Sequence, residues 1–159
     1  MERLSCNHWF AEDRSSGTRE GYQFMIRILL VEDSKFLRLA TERALARAGY
    51  EMSTAGDGEE ALRLARETMP DLILLDMLLP KMSGPEVLGA LKKDPLTRPI
   101  PVVVMTGMSQ KNAARLQADG AAGFLEKAAL ELDKGSEKLL EAVREIVGKL
   151  LQNARTTSA

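Results

Sequence analysis

Short apolar runs alternate with longer amphipathic segments along this chain from residue 26 onward. The runs at residues 26–31, 72–75 and 102–105 are bounded by turn-forming or acidic residues, as expected for parallel strands covered on both faces. Weaker strand candidates lie at residues 50–54 and 123–125. The pattern therefore predicts five strands with helices between them.

Apolar residues in the intervening segments recur at the spacing that places them on one helix face. Ser83 and Pro85 are typical of the N-terminus of the third helix. The fourth helix, at about residues 109–118, offers mainly Ala113 and Leu116, so we expect it to be the most loosely held. The other stripes are Leu37, Ala40, Ala44 and Ala48; Ala61, Leu62, Ala65 and Met69; Val87, Leu88 and Leu91; and Leu139, Leu140, Val143, Ile146, Val147, Leu150 and Leu151.

Five repeats of strand and helix predict an α/β fold, a doubly wound five-stranded parallel sheet with helices on both faces. The expected strand order is 2-1-3-4-5, the flavodoxin-like arrangement. In this arrangement a crevice opens at the carboxyl ends of strands 1 and 3. Functional residues should lie there.

The length of 159 residues fits one domain with tails. We place the domain at residues 25–151, with a polar extension at residues 1–24 and a short tail at residues 152–159. The net charge of −1 disfavours binding to nucleic acid or to a membrane surface. The single cysteine, Cys6, cannot form an internal disulfide, and no apolar run has the length of a membrane span, so a cytoplasmic location is expected.

Polar residues stand at four of the five predicted strand ends: Glu32 and Asp33, Asp76, Thr106, and Lys127. Three acids around one crevice repel each other and therefore need a cation, and oxygen ligands without His or Cys suit Mg²⁺ or Mn²⁺. A lysine and a hydroxyl beside them could hold a phosphoryl group. Taken singly, the acids could instead cap the first helix, and Lys127 could be a surface residue.

These residues lie in motifs that resemble the receiver domain of two-component response regulators. The motifs are ILLVEDS, LILLDMLLPKMSG with its D-x-x-x-P-x-x-x-G spacing, VVVMTG, and GAAGFLEK. The resemblance covers about residues 25–151. It implies a protein that is not an enzyme but accepts a phosphoryl group, from a phosphohistidine on a sensor histidine kinase or a histidine phosphotransfer protein.

The resemblance also implies a role for each residue of the site. Asp76 would be the phosphoacceptor, and Thr106 and Lys127 would bind the phosphoryl group. Mg²⁺ would be held by Asp33 and Asp76, by Glu32 through water, and by the backbone carbonyl of Leu78. Phe124 occupies the position of an aromatic switch that responds to Thr106, although a plain core phenylalanine is a comparable interpretation.

One departure from the family pattern concerns the residue after Lys127. The family usually has a proline there in a cis peptide bond, whereas this chain has Ala128. A cis bond before a residue other than proline costs about 2.5 to 4 kcal/mol, so we expect a trans peptide and a different loop path. A milder departure is Glu32 in the first acidic position, where the family usually has Asp.

Two apolar residues flank the expected path of a water molecule that would hydrolyse the acyl phosphate. Leu78 lies two positions after Asp76, and Met108 lies two positions after Thr106. Neither side chain can orient a water molecule, and both can exclude it. The sequence therefore predicts slow loss of the phosphoryl group.

The leading hypothesis is a stand-alone receiver that signals to a downstream protein partner by a surface change on the fourth helix, fifth strand and fifth helix. The same surface could form a homodimer. A degenerate receiver that acts only as a docking module remains an alternative. An aspartyl-phosphate hydrolase would need a second acid where Leu78 stands, and a flavodoxin-like cofactor binder would need a phosphate-binding loop where this chain has acids.

Overall fold

The strands form where apolar residues occupy consecutive positions, because each strand is buried on both sides. The computed structural model describes residues 25–107, 112–130 and 134–157. Its strands are β1 (Arg27–Val31), β2 (Glu51–Ala55), β3 (Leu72–Asp76), β4 (Val102–Thr106) and β5 (Gly123–Glu126). They form one parallel sheet in the order β2-β1-β3-β4-β5, which confirms the predicted topology.

Helices cover both faces of this sheet. They are α1 (Lys35–Arg47), α2 (Gly58–Thr68), α3 (Gly84–Lys93), α4 (Ala113–Ala118) and α5 (Glu137–Thr157), and a 3₁₀ turn at Lys127–Leu130 follows β5. Alternate residues of each strand point to opposite faces. Leu29 and Ile73 therefore join a core with α2, α3 and α4, whereas Ile28 and Leu72 join a second core with α1 and α5.

Side-chain caps fix where the first three helices begin. Ser34 caps α1, and Asp57 caps α2 by accepting a hydrogen bond from Glu60 N at 2.9 Å. Ser83 and Glu86 form a reciprocal capping box at the start of α3, with Pro85 in its first turn. The predicted start of the third helix is confirmed, and these caps place the loops at the carboxyl edge of the sheet.

The buried face of α1 differs from the predicted stripe. Thr41, Ala44 and Leu45 are buried, whereas Ala40 is exposed. The prediction followed apolar residues only, and it missed that a threonine can bury its methyl group within a helix face. The stripe assigned to α1 was therefore wrong at Ala40.

The last helix extends beyond the predicted end of the domain. Helix α5 continues past Leu151 to Thr157, and Leu151 is exposed, so the segment from residue 152 extends the last helix. Residues 1–24, together with the predicted first turn of the fourth helix at residues 109–111, lie outside the described residues. Within the described residues, no helix has the length and apolar character needed to cross a membrane.

Candidate functional site

The carboxyl ends of β1 and β3 bring three acidic side chains together. Asp76 is the last residue of β3, and Glu32 and Asp33 directly follow β1, its hydrogen-bonded neighbour. One carboxylate oxygen from each residue lies within 4.8 Å of the other two. Glu32 and Asp76 are 3% and 2% exposed, whereas Asp33 is exposed to solvent. The acidic cluster predicted from the strand ends is therefore present as a compact group.

Lys127 reaches this cluster from the end of β5, an edge strand of the sheet. It directly follows β5, and its Nζ lies 2.7 Å from Glu32 Oε2 and 2.9 Å from Asp76 Oδ2. The described residues contain no cis peptide bond, so the bond to Ala128 is trans, as predicted. The lysine, which is the first residue of the 3₁₀ turn, nevertheless contacts the acidic cluster.

The pKa values of two groups in this cluster are shifted by burial and by each other. Burial raises the pKa of the Glu32 carboxyl, although the hydrogen bond from Lys127 opposes that effect. Burial alone would lower the pKa of the Lys127 ammonium, but its hydrogen bonds to Glu32 and Asp76 raise that pKa overall. Lys127 therefore remains charged near neutral pH and compensates two buried carboxylates at once.

The donor set of this cluster fits a hard divalent metal ion. Its ligand atoms are carboxylate oxygens from Glu32, Asp33 and Asp76, without thiolate or imidazole, and an exposed Asp33 leaves the group open to solvent. The backbone N–H of Leu78 donates to Asp76 Oδ1 at 3.2 Å, and the Leu78 side chain is 67% exposed. The cluster could thus hold a metal ion, whereas ligation by the Leu78 carbonyl stays a prediction.

Thr106 and Phe124 lie on β4 and β5, the two strands that follow β3 in the sheet. Thr106 ends β4, the strand next to β3, and is half-buried. Phe124 is half-buried against the core formed with α2, α3 and α4. Both residues line a cavity of about 710 Å³ that also borders Leu116 of α4 and Met77. Met108, predicted to slow dephosphorylation, lies outside the described residues.

Gly84 has a packing role that sequence reasoning did not assign. A Cβ on Gly84 would lie 2.5 Å from Met77 Cα and 2.7 Å from the Asp76 carbonyl oxygen. Helix α3 therefore begins directly against the end of β3, where only glycine fits. The signal was already present as the final glycine of the D-x-x-x-P-x-x-x-G spacing.

Sequence reasoning also missed two charged contacts around the site. Lys81 Nζ lies 3.2 Å from Asp57 Oδ2, which ties the loop after β3 to the loop after β2. Arg38 Nη1 donates to the Glu32 carbonyl at 2.8 Å. No periodicity or short motif marks such contacts, because each joins residues on different loops or helix turns.

This chain is similar to a known domain family, to curated relatives and to solved structures. A family model described as the response regulator receiver domain matches residues 28–144. The response regulator PleD of Caulobacter vibrioides is 44% identical over 103 residues, covering 64% of this chain and 22% of PleD. The polar-differentiation response regulator DivK of Brucella anthropi is 38% identical over 101 residues, covering 63% of this chain and 82% of DivK.

Solved structures share the fold over most of this chain. The chemotaxis response regulator CheY4 of Vibrio cholerae is 31% identical with a TM-score of 0.70, covering 77% of this chain and 99% of CheY4. A receiver domain protein of Methanospirillum hungatei is 27% identical with a TM-score of 0.70, covering 84% of this chain and 99% of that protein. Because the matched region covers 22% of PleD, the similarity to such longer relatives concerns the receiver domain and not their whole length. The chain belongs to the receiver domain family of two-component response regulators.

Proposed function

We propose that this chain is a phosphorylation-controlled switch in which Asp76 accepts a phosphoryl group in the presence of Mg²⁺. The donor is a phosphohistidine on a sensor histidine kinase or a histidine phosphotransfer protein. Receivers of this family generally signal rather than catalyse, so the phosphorylated chain acts on a downstream protein partner. The chemistry that the chain performs is confined to its own phosphorylation and dephosphorylation.

One observation carries the proposal: the Asp76 carboxylate is almost fully buried yet lies among groups that suit a phosphoryl transfer. Its neighbours are the oxygens of Glu32 and Asp33 on one side and the Lys127 ammonium at 2.9 Å on the other. A buried carboxylate without such a use is costly. Charged groups held around one carboxylate favour phosphoryl transfer to it, because positioning and charge neutralisation supply most of the catalysis in such reactions.

In the proposed reaction a carboxylate oxygen of Asp76 attacks the phosphorus of the phosphohistidine. The new O–P bond forms as the P–N bond breaks, and the electron pair of that bond stays on the donor imidazole. Asp33 and Asp76, with Glu32 through water, would hold Mg²⁺, which would supply positive charge beside the phosphoryl oxygens. Lys127 supplies a second positive charge, and Thr106 donates its hydroxyl to a phosphoryl oxygen.

The surface that reports phosphorylation is α4, β5 and α5. The cavity of about 710 Å³ beside Thr106 and Phe124 supports the α4 and β5 part of this assignment, because it offers room for side chains there to rearrange. In the proposed switch Thr106 moves toward the phosphoryl group, and Phe124 changes its packing in response. The same surface would bind the downstream protein or form a homodimer.

The lifetime of the phosphorylated state is proposed to be long. Leu78 has an exposed apolar side chain and lies two positions after Asp76. Met108 lies two positions after Thr106 in the sequence, and neither apolar side chain can orient an attacking water molecule. Polar residues at both positions should speed loss of the phosphoryl group. The decay of the phosphorylated double variant, compared with the wild-type chain, measures this; equal decay would remove these two residues from the account.

The test of the acceptor is incubation with a small phosphodonor and Mg²⁺, followed by intact mass spectrometry. The wild-type chain should gain one phosphoryl group, and Asp76→Asn should gain none. Asp57→Asn is a matched control, since Asp57 lies at the same edge of the sheet and asparagine preserves its helix cap. An unmodified wild-type chain would instead favour the phosphorylation-independent docking module.

A further inference from the structure

Arg38 of α1 reaches back to the segment that carries the two acids after β1. Its Nη1 donates to the Glu32 carbonyl at 2.8 Å and makes a longer bond, 3.5 Å, to the Asp33 carbonyl. Its own backbone N–H donates to the Ser34 carbonyl at 2.8 Å. One arginine thus holds the backbone of both acidic residues from the following helix.

Asp33 depends on this backbone support more than Glu32 does. The Glu32 side chain is fixed at both oxygens, since Oε1 accepts from Ser34 N at 3.1 Å and Oε2 from Lys127. The exposed Asp33 carboxylate makes no hydrogen bond or ion pair with the part of the chain that the structure describes. Its position therefore follows from its backbone, which Arg38 contacts.

The turn after β2 leaves space for this guanidinium. A Cβ on Gly56 would lie 2.9 Å from Arg38 Nη1 and 3.6 Å from its Cζ. Alanine at this position would therefore displace the guanidinium while leaving its charge in the protein. The chain thus offers two ways to disturb the same contact, one by removing the arginine and one by moving it.

We propose that Arg38 is a positioning residue for the divalent-cation site, which it serves by holding the backbone of Glu32 and Asp33. The inference rests on the proposed function, because it assumes that these acids bind Mg²⁺. A positioning role and a purely electrostatic role of Arg38 predict opposite changes in Mg²⁺ affinity when Arg38 is neutralised. A guanidinium close to a cation site opposes binding by charge alone, so an electrostatic role predicts tighter Mg²⁺ binding once Arg38 is neutralised. A positioning role predicts weaker binding.

The experiment is calorimetric titration of the unphosphorylated chain with Mg²⁺, after the metal has been removed with EDTA. Because partners behind metal ligands typically change affinity 10- to 100-fold, Arg38→Gln should raise the Kd about tenfold. Arg38→Lys should recover part of the affinity, since an ammonium can still donate to one carbonyl. Gly56→Ala should also raise the Kd, by a smaller factor than Arg38→Gln, because it moves the guanidinium and does not remove it. Arg43→Gln, an exposed arginine on the same helix, should leave it unchanged.

Urea unfolding in EDTA separates these effects from stability, and Gly56→Ala provides the test if Arg38→Gln fails to fold. Unchanged or tighter binding by Arg38→Gln, or an unchanged Kd for Gly56→Ala, would overturn the positioning role. A wild-type chain that binds no Mg²⁺ would contradict the proposed function itself. If the wild-type chain binds Mg²⁺ and the Arg38 and Gly56 variants bind it as tightly as Arg43→Gln does, the positioning role alone is contradicted.

Discussion

The two sides of the crevice are built differently. On the side of β1 and β3, every residue of β3 is buried, side chains cap α1, α2 and α3, and hydrogen bonds hold both oxygens of Glu32. On the side of β4 and β5, α4 has six residues, and Asn112 before it makes no side-chain cap. One of the four residues of β5 is buried. The cavity lies between the two sides, bordered by Met77 and Leu78 on the first and by Phe124 and α4 on the second.

The side of β1 and β3 is suited to phosphoryl transfer, and the side of β4 and β5 is suited to a change in packing. Phosphoryl transfer depends on positions held to a fraction of an ångström, which tight packing and caps provide. A signal depends on a segment that can change its packing at small cost in free energy, which a short helix beside a cavity provides. Lys127 joins the two sides, because it leaves β5 and contacts acids of β1 and β3.

The largest expected contrast comes from shortening one leucine on each side. Leu88 of α3 is fully buried, and Leu88→Ala should lower the free energy of unfolding by about 4 kcal/mol. Leu116 of α4 is 8% exposed and borders the cavity, so Leu116→Ala should cost about 2 kcal/mol. Urea denaturation of both variants measures the difference. Equal losses would mean that the two sides are packed alike.

Removing the lysine that joins the two sides should give the next largest effect. Lys127→Met leaves the buried carboxylates of Glu32 and Asp76 without their shared cation. Since breaking a buried ion pair costs about 3 to 5 kcal/mol and Lys127 is 23% exposed, we expect a loss of about 3 kcal/mol in EDTA. Added Mg²⁺ should recover part of it.

The control for Lys127→Met is Lys149→Met. Lys149 pairs with Glu145 at 2.8 Å, but both side chains are more than half exposed. Exposed pairs contribute about 0 to 1 kcal/mol, so the control should change stability little. Similar losses in both variants would show that the acidic cluster does not depend on its lysine.

Adding one methyl group probes how tightly each side is packed. Gly84→Ala forces a Cβ against the backbone of Met77 and Asp76, and should cost about 2 kcal/mol. Gly123→Ala on β5 meets only Val103 Cγ2, at 3.8 Å, and should be tolerated. The Cβ of Gly89→Ala, in the middle of α3, meets no neighbouring atom within 4 Å, so this variant should raise the free energy of unfolding by about 0.5 to 1 kcal/mol. Thermal unfolding distinguishes these outcomes, and a stable Gly84→Ala would disprove the close approach.

Sequence reasoning succeeded where one residue carries a local physical signal. Apolar runs indicated the strands, Ser83 and Pro85 indicated the start of α3, and acids at strand ends indicated the cluster around Asp76. It failed where the outcome depends on tertiary contacts. The burial of Thr41 in place of Ala40 and the cavity beside Phe124 arise from neighbours distant in sequence. The contact of Arg38 with the Glu32 carbonyl, six positions away, depends on the path of the loop between β1 and α1. Periodicity carries no information about those neighbours.

The smallest effect concerns the pH dependence of the cap on the tightly packed side. The hydrogen bond from the Ser83 backbone lowers the pKa of Glu86, which is a surface group. A lowered pKa in the folded state stabilises the protein above the unfolded value of 4.5, and that stabilisation is lost as pH falls through the folded pKa. Glu86→Gln keeps a capping side chain without its charge, so wild type should be the more stable protein at pH 7, and the difference should vanish in acid.

Salt provides the comparison that assigns this effect to the cap. The pKa of Glu145 is also lowered, first by its hydrogen bond from Lys149 and then by the charge of that lysine. High salt screens an exposed ion pair, so the stability difference between wild type and Glu145→Gln should shrink at 1 M NaCl, where the screening length is about 3 Å. The difference for Glu86→Gln should shrink less, because its partner is a backbone N–H group within the capping box. Equal salt sensitivity in urea titrations would show that Glu86 acts only as a surface charge. The start of α3, on the tightly packed side of the crevice, would then be stabilised by Ser83 and Pro85 alone.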